Sequence, residues 1–121
     1  ALVFEGDIDY KDGIESANRL MDTQVNATAV VAAADILAIG AAKAFYERGV
    51  RVPDDISLMG FDDLEISQYL TPGLTTVRQQ ISLKGEKAVE LLIRSINEPE
   101  LTKQELILPV SLVERESVKR I

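Results

Sequence analysis

Apolar residues along this chain alternate between short continuous runs and helically spaced sets. Leu2-Val3-Phe4 is a run that stops at Glu5-Gly6-Asp7 and predicts a strand. Ile14, Ala17, Leu20 and Met21 then recur at the spacing of one helix face. Asp9 fits the N-cap of that helix, and Asp12, three residues on, suits the unpaired N–H groups of its first turn. Ala29 to Ala33 is again continuous and apolar, the pattern of a parallel strand covered on both faces. Asp35 opens the next helix, and its residue type favours an N-cap over a ligand contact. Leu37, Ala41, Ala44 and Phe45 mark one side of this helix. Ala38, Gly40 and Ala42 keep its surface small, which lets it lie close to its sheet or to a helix of another subunit. Gly49 fits the left-handed position that ends a helix.

In the second half, Pro53, Asp54 and Asp55 read as a loop, followed by Ile56 to Met59, a buried strand stopped by Gly60. Asp62 falls at the carboxyl end of this strand, where open α/β sheets bind ligands, and a carboxylate there can accept hydrogen bonds from a small polar molecule. On residue chemistry alone the plainer alternative is that Asp62 and Asp63 are turn formers or a helix cap. Tyr69 to Gly73 is a turn-rich loop that exposes Tyr69 and Leu70 unless a partner covers them. Leu74 to Val77 predicts another short strand. Ser82 precedes a helix in which Ala88, Leu91, Leu92 and Ile96 recur, ended by Asn97-Glu98-Pro99. Leu106 to Leu108 and Val110 to Val113 read as extended segments broken at Pro109. The alternation of strand and helix predicts an α/β fold with a mainly parallel sheet flanked by helices.

Composition narrows the function classes. The 121 residues carry 20 Asp and Glu against 13 Lys and Arg, a net charge of −7, and no basic stripe, which argues against a nucleic-acid surface on this chain. There is no His and no Cys, so the usual neutral-pH acid–base group, thiolate nucleophiles, disulfides and thiolate metal sites are all excluded. No nucleophile elbow, phosphate loop, zinc-binding helix or dinucleotide fingerprint occurs, and the reading is of a protein that is not an enzyme and has no cofactor. Asp7, Asp9, Asp12 and Glu15 do not make a calcium loop, because Lys11 falls on the third ligand and Asp12 on the required glycine. No apolar run is long enough for a membrane span, the start lacks the features of a signal peptide, and the lack of cysteine is compatible with a reducing cytoplasm.

The string Arg51-Val-Pro-Asp-Asp-Ile-Ser-Leu-Met-Gly-Phe-Asp62, followed by Leu74-Thr-Thr-Val-Arg-Gln79, closely resembles the LacI/GalR family of bacterial transcriptional repressors. The resemblance extends from Glu5-Gly6-Asp7 to Val113-Glu-Arg-Glu-Ser117. It implies a fragment of such a regulator, namely a partial periplasmic-binding-protein-like (type I) effector domain. Residues 1–78 would form the carboxyl-terminal subdomain. Residues 79–105 would be a crossover and a helix of the amino-terminal subdomain, and residues 106–121 a returning strand and tail. In proteins of this kind two subdomains close over a small effector, and operator DNA is read by an amino-terminal helix-turn-helix that this chain does not contain. Asp62 matches the family's effector-binding aspartate and Gln79 a polar residue near the hinge.

Two further effector positions depart from the family pattern. Ile8 stands where sugar-responsive relatives often place an aromatic ring, and Ala34 where they commonly have Asn, so the stacking and bidentate contacts that hold a pyranose are both lacking. The effector class implied is a sugar, a sugar derivative or a purine. Phosphorylated HPr, the corepressor of the catabolite-control branch, is disfavoured because Glu90 falls where an Arg would be needed. The resemblance also implies a homodimer or swapped oligomer through the helix that holds Ile39 and the loop that holds Tyr69 and Leu70. The competing readings are a periplasmic-type solute-binding protein, which shares the cleft but serves transport, and an interaction module that has lost ligand binding.

Overall fold

The computed structural model describes residues 2–98, 100 and 104–120. Its elements run α1 (Tyr10–Asp22), β1 (Ala29–Val31), α2 (Asp35–Glu47), β2 (Ser57–Asp62), a single 3-10 turn (Glu65–Gln68), β3 (Thr75–Gln79), α3 (Ile81–Asn97) and β4 (Val110–Val113). The strands form one sheet in the order β1-β2-β3-β4. β1, β2 and β3 are parallel, and β4 returns antiparallel to β3 with Val77 opposite Leu112. The expected α/β class and mainly parallel sheet are both present.

The core lies between the sheet and the α1–α2 pair. Leu58 and Leu74 meet Ala38, Ala41, Ala44 and Phe45 of α2, and Ala17 and Leu20 of α1 close the far side. Small residues govern how α1 and α2 cross. A Cβ on Gly13 would overlap the carbonyl of Leu37, and a Cβ on Gly40 would overlap the carbonyl of Tyr10, so both glycines let two helix backbones touch. The small surface of α2 therefore serves α1 as well as the sheet. Asp9 caps α1 as expected, accepting a hydrogen bond from Asp12 N–H at 2.8 Å. Gly49 has φ 73, the left-handed position foreseen for it.

Several elements differ from expectation, each for a physical reason. β1 is a three-residue edge strand and is not covered on both faces: Val31, pointing away from α2, is 74% exposed. Leu2 to Phe4 and Leu106 to Leu108 are not strands; both runs lack a ladder partner in the sheet. β2 is not stopped at Gly60 but runs on to Asp62. α2 begins after Ala34 as N-cap, and Asp35 is not a cap at all but a core residue. α3 has the expected repeat yet buries none of its residues, leaving Val89, Leu92, Ile93 and Ile96 exposed. Pro99, expected to end that helix, lies outside the described residues, as do residues 101–103 of the expected crossover region.

The amino ends of β2 and β3 splay apart, and the segment after β4 fills the gap. Ser117 O accepts from Leu58 N–H at 2.8 Å, Ser117 Oγ donates to Leu58 O at 2.6 Å, and the same Oγ accepts from Thr75 N–H at 2.8 Å. Ser117 thus replaces one rung of the sheet.

Candidate functional site

Asp62 and Gln79 are the last residues of two adjacent parallel strands, β2 and β3. The topology delivers both side chains to the same edge of the sheet, and Gln79 Nε2 donates to Asp62 Oδ1 at 2.6 Å. Lys84, in the first turn of α3, approaches from the far side and donates to Gln79 Oε1 at 3.3 Å. Among the described residues no donor reaches the second carboxylate oxygen of Asp62, which is half-buried. Gln79, Gln80, Lys84, Leu106, Leu108 and Pro109 border a hollow of about 200 Å³. That is less than the roughly 300–1,000 Å³ of most small-molecule sites. The pair can offer an acceptor and an amide to a hydroxyl-bearing or amide-bearing molecule, from one side only.

The backbone that presents Asp62 is unusual. Asp62 has φ 120 and Asp63 φ 55, so two consecutive non-glycine residues have positive φ. Aspartate tolerates the value at Asp63 better than most residues do, but φ 120 is rare for any side chain, and such conformations cost about 1–3 kcal/mol each. They persist only when the surroundings hold them. Two groups of contacts do so here.

The first is built on Asp35, which is 0% exposed. Its Oδ2 accepts from Leu64 N–H at 2.8 Å and from Ser67 Oγ at 2.6 Å, and its Oδ1 accepts from Thr76 Oγ1 at 2.5 Å. Thr76 Oγ1 in turn accepts from Asp63 N–H at 3.3 Å. Gly60 makes this approach feasible, since a Cβ there would collide with Asp35 Oδ1 and crowd Leu74. The buried carboxyl group is therefore satisfied by three donors from two segments, the turn that holds Leu64 and Ser67 and strand β3, as a buried polar group requires. The second group surrounds Asp63. Arg115 donates to its Oδ1 at 2.7 Å and Arg78 Nε to its Oδ2 at 2.6 Å, while Arg115 also donates to Leu74 O at 2.7 Å. Burial pushes the Asp63 carboxyl upward, but the hydrogen bonds and charges of Arg115 and Arg78 outweigh it and hold the group below the ordinary carboxylate value.

The two aspartates thus divide. Asp63 forms the turn and locks it, and Asp62 is left to face outward. The turn-former reading applies to both backbones, and the ligand reading remains open only for the Asp62 side chain. The other positions singled out are not drawn to this pair. Ala34 follows the carboxyl end of β1 on the same sheet edge but is only 4% exposed, and Ile8, ahead of α1, is 65% exposed. Glu90 is paired with Lys87 at 2.7 Å on α3. Of the three interface candidates, Tyr69 is 68% exposed, whereas Ile39 is half-buried and Leu70 packs against the core. Leu70 is thus not an exposed group awaiting a cover. Near it, Ala42, Tyr46, Val50, Leu70 and Pro72 line an apolar groove of about 380 Å³. Sequence reasoning missed Thr76, Ser67 and Arg115, polar residues whose partners lie 32 to 52 residues away. No local pattern flags such pairs. Among the described residues no cluster of three or more acidic side chains could hold a metal ion, and no helix is long and apolar enough to cross a membrane.

Comparison with known proteins accords with this geometry. Residues 4–118 match the model of the periplasmic binding protein-like domain. The chain is 40% identical over 119 residues to the HTH-type transcriptional repressor PurR of Mannheimia succiniciproducens, covering 98% of this chain and 36% of that protein. It superimposes with a TM-score of 0.84 and 30% identity on a LacI family transcriptional regulator from Enterococcus faecalis V583 with bound ribose, over 94% of this chain and 42% of that one. The Lac repressor dimer bound to operator and the anti-inducer ONPF matches at 36% identity and a TM-score of 0.85, over 94% and 40% of the two chains. The chain thus spans little more than a third of the length of the curated relatives it matches. It is similar to the corresponding part of LacI-type transcriptional repressors, and it belongs to the periplasmic binding protein-like domain family.

Proposed function

We propose that this chain is the effector-sensing and dimerisation part of a LacI-type repressor of sugar or related metabolic genes. The observation that carries this reading is the Asp62–Gln79 pair, joined at 2.6 Å on the ligand-binding edge of a parallel sheet. The small hollow beside Gln79, which Asp62 does not line, and the unburied face of α3 both support a cleft completed by a second subdomain. In this reading residues 1–78 are one wall, α3 within residues 79–105 belongs to the other wall, and residues 106–121 return to the first. Closure over an effector biases the geometry of DNA-binding heads carried outside this chain, and the operator biases effector affinity by the same factor. The chain is a sensor in the cytoplasm, not a catalyst.

Ribose is the first effector to test, because a relative holds it, with sugar derivatives and purines after it. Ile8 offers no aromatic face and Ala34 no polar group, so recognition would rest on hydrogen bonds from Asp62 and Gln79 and from the opposing wall. Two copies associate through the face that carries Ile39, Tyr69 and the groove beside Leu70, which is apolar and open. The test is a thermal-shift screen of the full-length protein against ribose, cellobiose, sugar phosphates, nucleosides, purine bases and phosphorylated HPr. An effector present at 100 times its Kd stabilises the folded state by about 2.7 kcal/mol. The expected result is a shift by a small molecule that Asp62→Ala abolishes. A shift retained in full by Asp62→Ala would remove Asp62 from the site, and a shift by phosphorylated HPr alone would make the protein a corepressor-dependent regulator.

A further inference from the structure

We infer that Asp35 is the positioning residue for the Asp62 carboxylate, acting through the Thr76 hydroxyl and the positive-φ turn at Asp62 and Asp63. The functional meaning of this inference rests on Asp62 being the effector contact, but its geometry stands apart from that. Asp35 does not touch Asp62. It receives Leu64 N–H, Ser67 Oγ and Thr76 Oγ1, which together fix the residues on the carboxyl side of the turn. Because Thr76 gives its hydroxyl proton to Asp35, its lone pairs face outward, and one of them accepts Asp63 N–H. Asp63 is thereby held at a φ of 55, and this fixed residue directly follows Asp62, whose Oδ1 accepts from Gln79 Nε2. A buried carboxyl group at the start of α2 is an expensive way to build a helix end, where an exposed serine or asparagine cap suffices. The three converging donors and the missing Cβ at Gly60 give it a different role: one acidic group sets the backbone of the ligand-facing edge from inside the core.

The test needs no effector and so can fail independently of the proposed function. The full-length protein is labelled with 15N-glutamine, and the side-chain amide of Gln79 is followed by NMR, with Gln79→Ala assigning the signal and Asp62→Ala, which removes the acceptor oxygen, marking the unbridged state. Thr76→Val removes only the hydroxyl, and Asp35→Asn removes one acceptor from Asp35. Phe45→Leu, in the core at the far end of α2, serves as a comparison of general destabilisation. The expected result is that Thr76→Val moves the Gln79 signal most of the way to its position in Asp62→Ala and speeds exchange of the Asp63 amide at least tenfold. Phe45→Leu should leave both unchanged at an equal loss of melting temperature. Should Asp35→Asn not fold, Thr76→Val decides the matter alone. A Gln79 signal unmoved in Thr76→Val, or moved equally in Phe45→Leu, would overturn the inference.

Discussion

Replacing Arg115 by Met keeps most of the side-chain volume and removes the guanidinium together with the two hydrogen bonds it donates. Arg115 donates to Asp63 Oδ1 and to Leu74 O, both at 2.7 Å, and its side chain is 16% exposed against 8% for Asp63. Charge-assisted hydrogen bonds contribute about 1.5–3 kcal/mol each, and stripping one partner from a buried pair costs about 3–5 kcal/mol. Here Arg78 still holds the other oxygen of Asp63, so the uncompensated charge is only partial. We expect a loss of about 2–3 kcal/mol at pH 7, a large share of the roughly 5–15 kcal/mol that stabilises a typical domain. Urea unfolding followed by circular dichroism reads it as a midpoint lowered by about 1 M, with the slope unchanged. The pH dependence distinguishes the ion pair from lost packing. The folded Asp63 carboxyl lies below its ordinary value, so its contribution is fully present above the unfolded pKa of about 3.9 and fades as pH falls through the folded one. The difference between Arg115→Met and the parent should therefore shrink below about pH 4. A loss under about 0.5 kcal/mol at pH 7, or an equal loss at pH 3.5 and pH 7, would refute the ion-pair account.

Gly40→Ala should destabilise by about 1–3 kcal/mol through overlap with the Tyr10 carbonyl, even though alanine is the better helix former by about 1 kcal/mol; an unchanged or raised melting temperature would contradict the tight helix crossing. Asp55, which accepts from both the guanidinium and the backbone N–H of Arg51, should titrate at about 2 by NMR. Arg51→Gln should return it toward the ordinary aspartate value, and a normal titration in the parent would show that the pair does not persist in solution.

The sequence made some features legible because they are local. The caps and faces of α1, the left-handed turn at Gly49, and the placement of Asp62 at the end of a strand follow from spacing within a few residues, whereas Gln79 is singled out only by the family resemblance. What stayed hidden depends on partners far along the chain. Leu2 to Phe4 and Leu106 to Leu108 have strand composition, but a strand exists only where a neighbour supplies the ladder, and composition does not name the neighbour. The sequence around Asp35 suggests a cap, because aspartate beside a helix start usually is one. Its buried role is set by Thr76, Ser67 and Gly60, which lie on other elements. Likewise, the short string Arg115-Glu116-Ser117 gave no sign that one side chain would clamp Asp63 and another would stand in for a strand.

The Ser117 rung has a kinetic meaning. Its partners Leu58 and Thr75 lie 59 and 42 residues away, so the rung closes only after a long stretch of backbone has been brought back on itself. Closure entropy grows slowly with that length, but contacts of wide sequence separation form slowly and reward the chain late. Until Ser117 arrives, Leu58 and Thr75 at the splayed strand ends present open backbone groups to any passing strand. In a nascent or transiently opened molecule this gap is a point inside the sheet, apart from its two edges, that is open to mispairing with another chain, and a single serine closes it.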